Sequence, residues 1–295
     1  MECWIFFRFS TNPLIHLSYL FKLMEKTPVV TAIVTTRNEE NNIVGSLESV
    51  HNQSVGRELI EIILIDNNST DKTVELSKPL IDRYYNIGPE RSAQRNFGFE
   101  HAKANFVIYL DADMRLSPTV IEECLKSVED DENIVGIYIP EKVVGSGFWI
   151  NVRNFERSFY NATYIDAARF IKKDVFLELG GFDLSLCGPE DWDLDRRLMD
   201  KGKLHLINAH IDHDEGAFSF SKYLGKKDYY AKSFDAYSKK WNNDKIVKMQ
   251  LGIYYRFLGV FIENGKWKKL LKHPLLSVGM YFLRLLVGLV YIFRR

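Results

Sequence analysis

Three apolar runs that each close on polar groups constrain this chain most. "VVTAIVTT" (29–36), "IEIILID" (60–66) and "VIYLDADM" (107–114) are aliphatic or β-branched almost throughout and lack polar alternation. Strands of that kind are buried on both faces, as in a parallel sheet. Helical patterns separate them. Asn38 is placed to cap a helix whose Ile43, Leu47 and Val50 fall at i, i+4 and i+7, and a short helix is expected from about Lys72. "RYYNIG" (83–88) reads as a further strand and "RSAQRNFGFEHAKA" (91–104) as a helix. A helix over 117–129 then precedes the strand "NIVGIYIP" (133–140). This alternation predicts an α/β fold with an open parallel sheet and helices on both faces.

Carboxylates mark the strand ends. Asp66 closes the second run, and Asp111 and Asp113 close the one at 107–114. Open α/β sheets bind ligands at the carboxyl ends of their strands, where the strand order reverses. Asp111 and Asp113 are two positions apart, so they share one side if the strand persists that far. Two like charges on one side call for a cation. A hard divalent ion that keeps waters and binds phosphates, Mg²⁺ or Mn²⁺, suits them.

Charge is unevenly spread. Residues 222–295 hold 16 Lys/Arg against 4 Asp/Glu and residues 1–221 hold 23 against 35, so a net charge of zero joins an acidic body to a basic tail. Such tails meet phosphates of nucleic acid or of a membrane surface. With an acidic body and no recognition module, nucleic acid is excluded as a partner. Three separated cysteines, Cys3, Cys124 and Cys187, suit a reducing compartment and make neither a disulfide frame nor a zinc site.

The two ends are apolar. Residues 1–26 are broken by Arg8, Pro13 and His16 and have no secretory cleavage pattern, so they read as an extension upstream of a start at Met24. Residues 274–293 are long enough to span a bilayer, but Arg284 at the centre costs about 2.5–3.5 kcal/mol on insertion scales. Ser277, Tyr281, Arg284, Gly288, Tyr291 and Arg295 form one narrow stripe on a helix. That stripe, a second apolar patch at Leu251–Ile262 and Lys266, Lys268 and Lys269 favour a helix lying in the interface, with Arg294 and Arg295 reaching phosphates. The alternative is a helical pair capping the core.

Four segments then carry a resemblance: "TAIVTTRNEENNI", "ILIDNNSTDKT", "RSAQRNFGFEHAKANFVIYLDADM" and "GGFDLSLCGPEDWDLDRRLMDKG". In that order and spacing they resemble family-2 glycosyltransferases, over roughly residues 28–216. The resemblance implies a GT-A fold, a Rossmann-like and mostly parallel sheet, and inverting transfer of a sugar from a nucleotide diphosphate to an acceptor hydroxyl or lipid phosphate. It implies that Thr35 to Glu39 cradle the nucleoside, that Asp66 takes hydrogen bonds from the base, and that Arg91 faces the diphosphate. Asp113, helped by Asp111, holds the metal. Arg95 is left as a surface charge. In "CGPEDWDLDRRLMDKG", Asp191 is implied as the catalytic base and Glu190 as the residue that orients the acceptor. His213 of "HIDHDEG" (210–216) is implied as a further metal ligand, with His210 as the alternative. Asp66 also has a plainer role open to it, capping the next turn.

The domain reading is an extension at 1–26, a catalytic domain at 27–221 and a basic helical region at 222–295. The catalytic domain divides into a nucleotide-sugar half, 27–114, and an acceptor half, 115–221. Residues 141–170 are expected on the acceptor side without assigned roles. The expected acceptor is a saccharide or a polyprenyl-linked phosphate, at the cytoplasmic face of a membrane. Two rivals remain: a sugar-phosphate nucleotidyltransferase, disfavoured because "TTRNEEN" has no glycine after the first strand, and a non-catalytic membrane adaptor.

Overall fold

The computed structural model describes residues 27–242 and 244–294, with side chains to Ile292. The extension at 1–26, its expected start at Met24, and the side chains of Arg294 and Arg295 lie outside what is described. The described strands form a seven-stranded sheet, β3-β2-β1-β4-β8-β6-β9, and a three-stranded one, β5-β10-β7.

The three apolar runs form the centre of the large sheet as β1 (Val30–Thr36), β2 (Ile60–Asp66) and β4 (Phe106–Asp111). They pair in parallel, with β3 (Arg83–Asn86) outside β2. Successive side chains go to opposite faces, so one strand feeds two cores. Val30, Ala32, Val34, Ile62, Leu64, Ile108 and Leu110 pack with Ile43, Leu47 and Val50 of the helix Ile43–His51. Ile33, Ile63, Ile65, Val107 and Tyr109 pack on the other side with Phe99, Leu194 and Leu198. Burying each leucine fully is worth about 1.5–3 kcal/mol.

Two expectations about local structure are corrected. Asn38 does not cap the first helix: it takes a left-handed conformation (φ 54°), and its side-chain oxygen accepts from the Thr70 amide at 2.8 Å. The helix begins only at Ile43, where the amides of Asn42 and Ile43 donate to the Glu39 carbonyl. The sheet, moreover, is not parallel throughout. β8 (Ala168–Lys172) is antiparallel to both β4 and β6 (Ile134–Tyr138), while β9 (Lys203–Leu206) returns parallel to β6. "ARFIK" is too short to signal its direction, which long-range pairing sets.

The small sheet joins distant segments: β5 (Met114–Leu116), β7 (Glu141–Ser146) and β10 (Ile211–Ala217). His213 therefore sits in a strand and not in a loop. It is opposite Met114 in the antiparallel pair, and the Asp214 amide donates to the Asp113 carbonyl at 2.8 Å.

The C-terminal helix Pro274–Arg294 corrects the expected orientation of its polar stripe. From Ser277 to Tyr291 the stripe faces the protein. Arg284 is buried, pairs with Glu156 at 2.6 Å and donates to the Tyr160 hydroxyl at 2.7 Å. Met280 and Leu283 join Val152, Phe155, Phe159, Tyr255 and Phe261 in a third core. Lys266 and Lys269 donate to the Phe159 and Ser158 carbonyls, so they too are tied to the body. Leu275, Val278, Phe282, Leu285, Leu289 and Ile292, spaced by three and four, form the exposed face. Capping the core and presenting an apolar surface are therefore done by the same helix.

The Glu156–Arg284 tether carries a pH prediction. Burial alone would raise Glu156, but Arg153 and Arg284 bring it down to about 2, against an ordinary 4.5. A depressed carboxyl contributes stability above its unfolded value, and that contribution is lost as pH falls from 4.5 towards 2. The contribution is about 3 kcal/mol. Urea unfolding should show Glu156→Gln well below wild type at pH 7, with the gap shrinking by about half at pH 3. A gap that stays constant across that range contradicts the tether.

Candidate functional site

The large-sheet order reverses between β1 and β4, and there Thr35 is the register partner of Asp111. A cavity of about 1680 Å³ opens at this point. That exceeds the ~300–1,000 Å³ typical of a single small-ligand pocket. Among the implied residues, Glu39, Arg91, Asp111, Asp113, Glu190, Asp191 and His213 line it. Thr35 and Asp66 are not among the lining residues. The Thr35 hydroxyl is 3.2 Å from Asp111 Oδ1, and Asp66 accepts from the amide and hydroxyl of Ser69. Asp66 thus takes the turn-capping role in this structure. His210 also lies elsewhere, with Nε2 3.1 Å from Lys142 Nζ.

Arg95 sits at the centre of the site, although its immediate neighbours in sequence give no sign of it. It is not a surface charge but 1% exposed, and it bridges two carboxylates: Nη2 donates to Asp111 Oδ1 at 2.9 Å and Nη1 to Asp191 Oδ1 at 3.2 Å. Its guanidinium also lies 4.6 Å from the Tyr109 ring centroid. Arg91, one turn earlier in the helix Arg91–His101, reaches Asp111 Oδ2 at 3.3 Å. The signal was present: the i, i+4 spacing puts both arginines on one face. Burial opposes the Asp111 charge, but Arg95, Arg91 and Arg169 hold its carboxyl well below the usual range.

Strand β4 ends at Asp111, so Asp111 and Asp113 do not act as a pair across one strand face. Asp111 is taken by the arginines. Asp113 Oδ2 lies 3.3 Å from His213 Nε2, and its Oδ1 is buried with no hydrogen-bond partner. Burial lowers His213, yet hydrogen bonds to Asp113 and Glu141 raise it to about 10. A metal ligand must be the neutral ring, so a cation bound at this corner would displace that proton. An orphaned carboxylate oxygen beside an imidazole is a donor set that fits Mn²⁺ or Mg²⁺. Among the described residues no cluster of three or more His, Cys, Asp or Glu encloses a metal. Other coordination positions would fall to ligand oxygens and water.

Across the cavity, Glu190 and Asp191 open the helix Glu190–Met199, whose N-terminal dipole favours acids. Asp191 Oδ1 also lies 3.1 Å from the Tyr109 hydroxyl, whose single proton is shared with the Ala168 carbonyl at 2.7 Å. Glu190 is buried, with Oε2 unpartnered and Oε1 3.7 Å from Arg91. Burial and the charge of Asp191 raise its pKa, against Arg91 and Arg95. Asp191 is the more open of the two, its side chain 20% exposed against 4% for Glu190. Glu141, Arg157 and Arg169 form an ion-pair cluster behind His213 that the sequence reading did not assign.

Comparison with known proteins accords with this geometry. The family "Glycosyl transferase family 2" matches residues 31–182. An uncharacterized glycosyltransferase of Haemophilus influenzae is 27% identical over 184 residues, 58% of this chain and 62% of that protein. The minor teichoic acid biosynthesis protein GgaB of Bacillus subtilis is 23% identical over 82% of this chain and 29% of its own length. The chain thus spans less than two thirds of each of these two relatives. Among solved structures, the mannosyltransferase PcManGT of Pyrobaculum calidifontis, in complex with GDP-Man and Mn²⁺, has a TM-score of 0.59 at 17% identity, covering 95% of this chain and 91% of that one. S. aureus TarS 1–349 in complex with UDP-GlcNAc has a TM-score of 0.54 at 17% identity, covering 77% and 73%. At such identities the likeness is one of fold, a GT-A-type mostly parallel sheet flanked by helices. On the family match, this chain belongs to glycosyl transferase family 2.

Proposed function

We propose that this protein is a metal-dependent, inverting glycosyltransferase, moving a sugar from a nucleotide-diphosphate donor to a saccharide or polyprenyl-linked acceptor at a membrane surface. The observation that carries the reading is the Asp111–Arg95–Asp191 bridge, which fixes one strand-end acid and the proposed base of the facing helix in one cavity. Asp191 accepts the proton of the acceptor hydroxyl. The freed oxygen attacks the anomeric carbon from the side opposite the nucleotide, the sugar–phosphate bond breaks, and its electron pair leaves on the diphosphate. Attack from that side inverts the centre. Glu190 orients the acceptor, Arg91 faces the diphosphate, and Glu39 closes the nucleoside side, with Thr35 and Asp66 supporting that rim. Asp113 and His213 would hold Mg²⁺ or Mn²⁺, which supplies positive charge to the departing diphosphate. That relatives' structures hold UDP-GlcNAc, or GDP-Man with Mn²⁺, supports the donor class and the metal.

Membrane attachment is part of the proposal, at the cytoplasmic face. Residues 274–292 of the C-terminal helix are apolar and long enough to cross a membrane. With Arg284 paired inside the protein, the outward face has no charge to desolvate, which favours lying in the interface. In the proposed division, 27–221 is catalytic and 222–295 is the membrane-facing region.

Two measurements test this. Incubation with UDP- and GDP-sugars and Mn²⁺ should give sugar transfer or donor hydrolysis that falls at least tenfold with EDTA and returns with Mn²⁺. No turnover of any donor supports the adaptor reading, and synthesis of a sugar nucleotide supports the nucleotidyltransferase. Flotation with anionic vesicles should recover the wild type but not a Val278→Glu/Leu285→Glu variant. Equal recovery of both would remove the membrane claim.

A further inference from the structure

The cavity has a second chemical feature besides the acids and arginines above. Arg153, Arg157, Arg169 and Arg284 each pair with a buried glutamate. Lys227 and Arg256 line the same cavity, and no carboxylate pairs with either among the described residues. Lys227 lies on the helix Phe220–Ala231, half-buried, with Nζ 5.6 Å from the Tyr223 ring centroid. Arg256, also half-buried, stacks 5.3 Å from the Trp192 ring centroid, and Nη1 lies 3.4 Å from the Gln250 carbonyl. Burial and the charges of Arg153 and Arg256 lower Lys227 to about 7, against Glu156, whose carboxylate is already taken by Arg153 and Arg284. Holding two half-buried cations with no counter-charge of their own is unfavourable, and a ligand anion is the natural complement.

The surroundings describe what that anion is attached to. On one side, Trp192 follows Asp191 directly, so the corner borders the proposed base. On the other, the cavity is walled by Leu251, Ile253, Phe257, Val287 and Ile292. Ile253 and Ile292 are 75% and 67% exposed, and Ile292 belongs to the outward apolar face of the C-terminal helix. A phosphate between these two regions would have a polar group towards Asp191 and an apolar chain towards the membrane-facing surface.

We propose that Lys227 and Arg256 form a phosphate subsite, separate from the donor diphosphate site, that holds the phosphate of an acceptor carried on an apolar chain. The subsite rests on the transferase reading for the word acceptor, but its ligand chemistry is independently testable. Here the phosphate is a handle: it stays bonded to its chain while a hydroxyl further along the acceptor reaches Asp191.

The probes are farnesyl phosphate, farnesol, glycerol 3-phosphate and UDP or GDP with Mn²⁺, measured by equilibrium dialysis against the full chain in detergent. Wild type should bind farnesyl phosphate at least tenfold more tightly than farnesol or glycerol 3-phosphate. Lys227→Gln should weaken farnesyl phosphate at least tenfold and leave farnesol and the nucleotide unchanged. Arg256→Gln should do the same, and Arg256→Lys should restore most of the affinity, which separates lost charge from lost packing on Trp192. If Lys227→Gln instead weakens the nucleotide, the pair serves the donor and the subsite is overturned. Equal binding of glycerol 3-phosphate and farnesyl phosphate would overturn the apolar-chain assignment. A wild type that binds no nucleotide diphosphate counts against the transferase reading alone, because the subsite is scored on farnesyl phosphate.

Discussion

Asp191→Asn is expected to lower kcat by about 10²–10⁴-fold, the range that general-base catalysis contributes, while nucleotide-diphosphate affinity stays within about twofold. The amide has the shape of the carboxylate, and its oxygen still accepts from Arg95 Nη1, as Asp191 Oδ1 does at 3.2 Å, and from the Tyr109 hydroxyl. What it lacks is the capacity to take a proton. Glu190→Gln should cost much less in kcat and show mainly as a higher acceptor KM, since Glu190 is proposed to position the acceptor. Steady-state transfer measured over a range of acceptor concentrations separates these outcomes. An Asp191→Asn enzyme within tenfold of wild type would remove Asp191 from the mechanism and return the choice of base to Glu190.

The second large effect concerns stability. Arg95→Met should destabilise the fold by about 3–5 kcal/mol, as breaking a buried ion pair typically does. The guanidinium is 1% exposed and satisfies Asp111 and Asp191 together. Methionine fills part of the volume but leaves two carboxylates facing each other without the charge between them. Arg95→Lys should fall between the two, because an ammonium keeps the charge but not the fork that reaches both acids. Urea midpoints at pH 7 measure this directly. A loss under 1 kcal/mol for Arg95→Met would show that the carboxylates find other partners and that the bridge is not the keystone of the site.

The residues themselves explain which features could be read in advance. β1, β2 and β4 were legible because a strand buried on both faces has little room for polar residues, and "IEIILID" spans the observed Ile60–Asp66. The helix Glu190–Met199 was legible from Pro189, the acids that follow it and the Leu194–Leu198 spacing. Hidden features depend on pairing between distant segments. β8 runs antiparallel because of its neighbours β4 and β6, and β10 (211–217) owes its place to β5 (114–116) and β7 (141–146), both far back in the sequence. Arg95 looked like any helix-surface arginine until Asp111 and Asp191 came to it from other elements.

The sequence by itself determined the layered α/β plan, the positions of acids at strand ends and at a helix start, and the two-sided C-terminal helix. Those follow from local rules: side-chain periodicity, the helix dipole and burial of apolar surface. Only the tertiary structure decided which charges meet. It gave Asp111 to Arg91 and Arg95, left Asp113 to His213, and turned the Arg284 stripe inward onto Glu156 so that the apolar face looks out. The physical reason is that a buried charge must be paired, and its partner is chosen by the folding of the whole chain and not by the residues beside it.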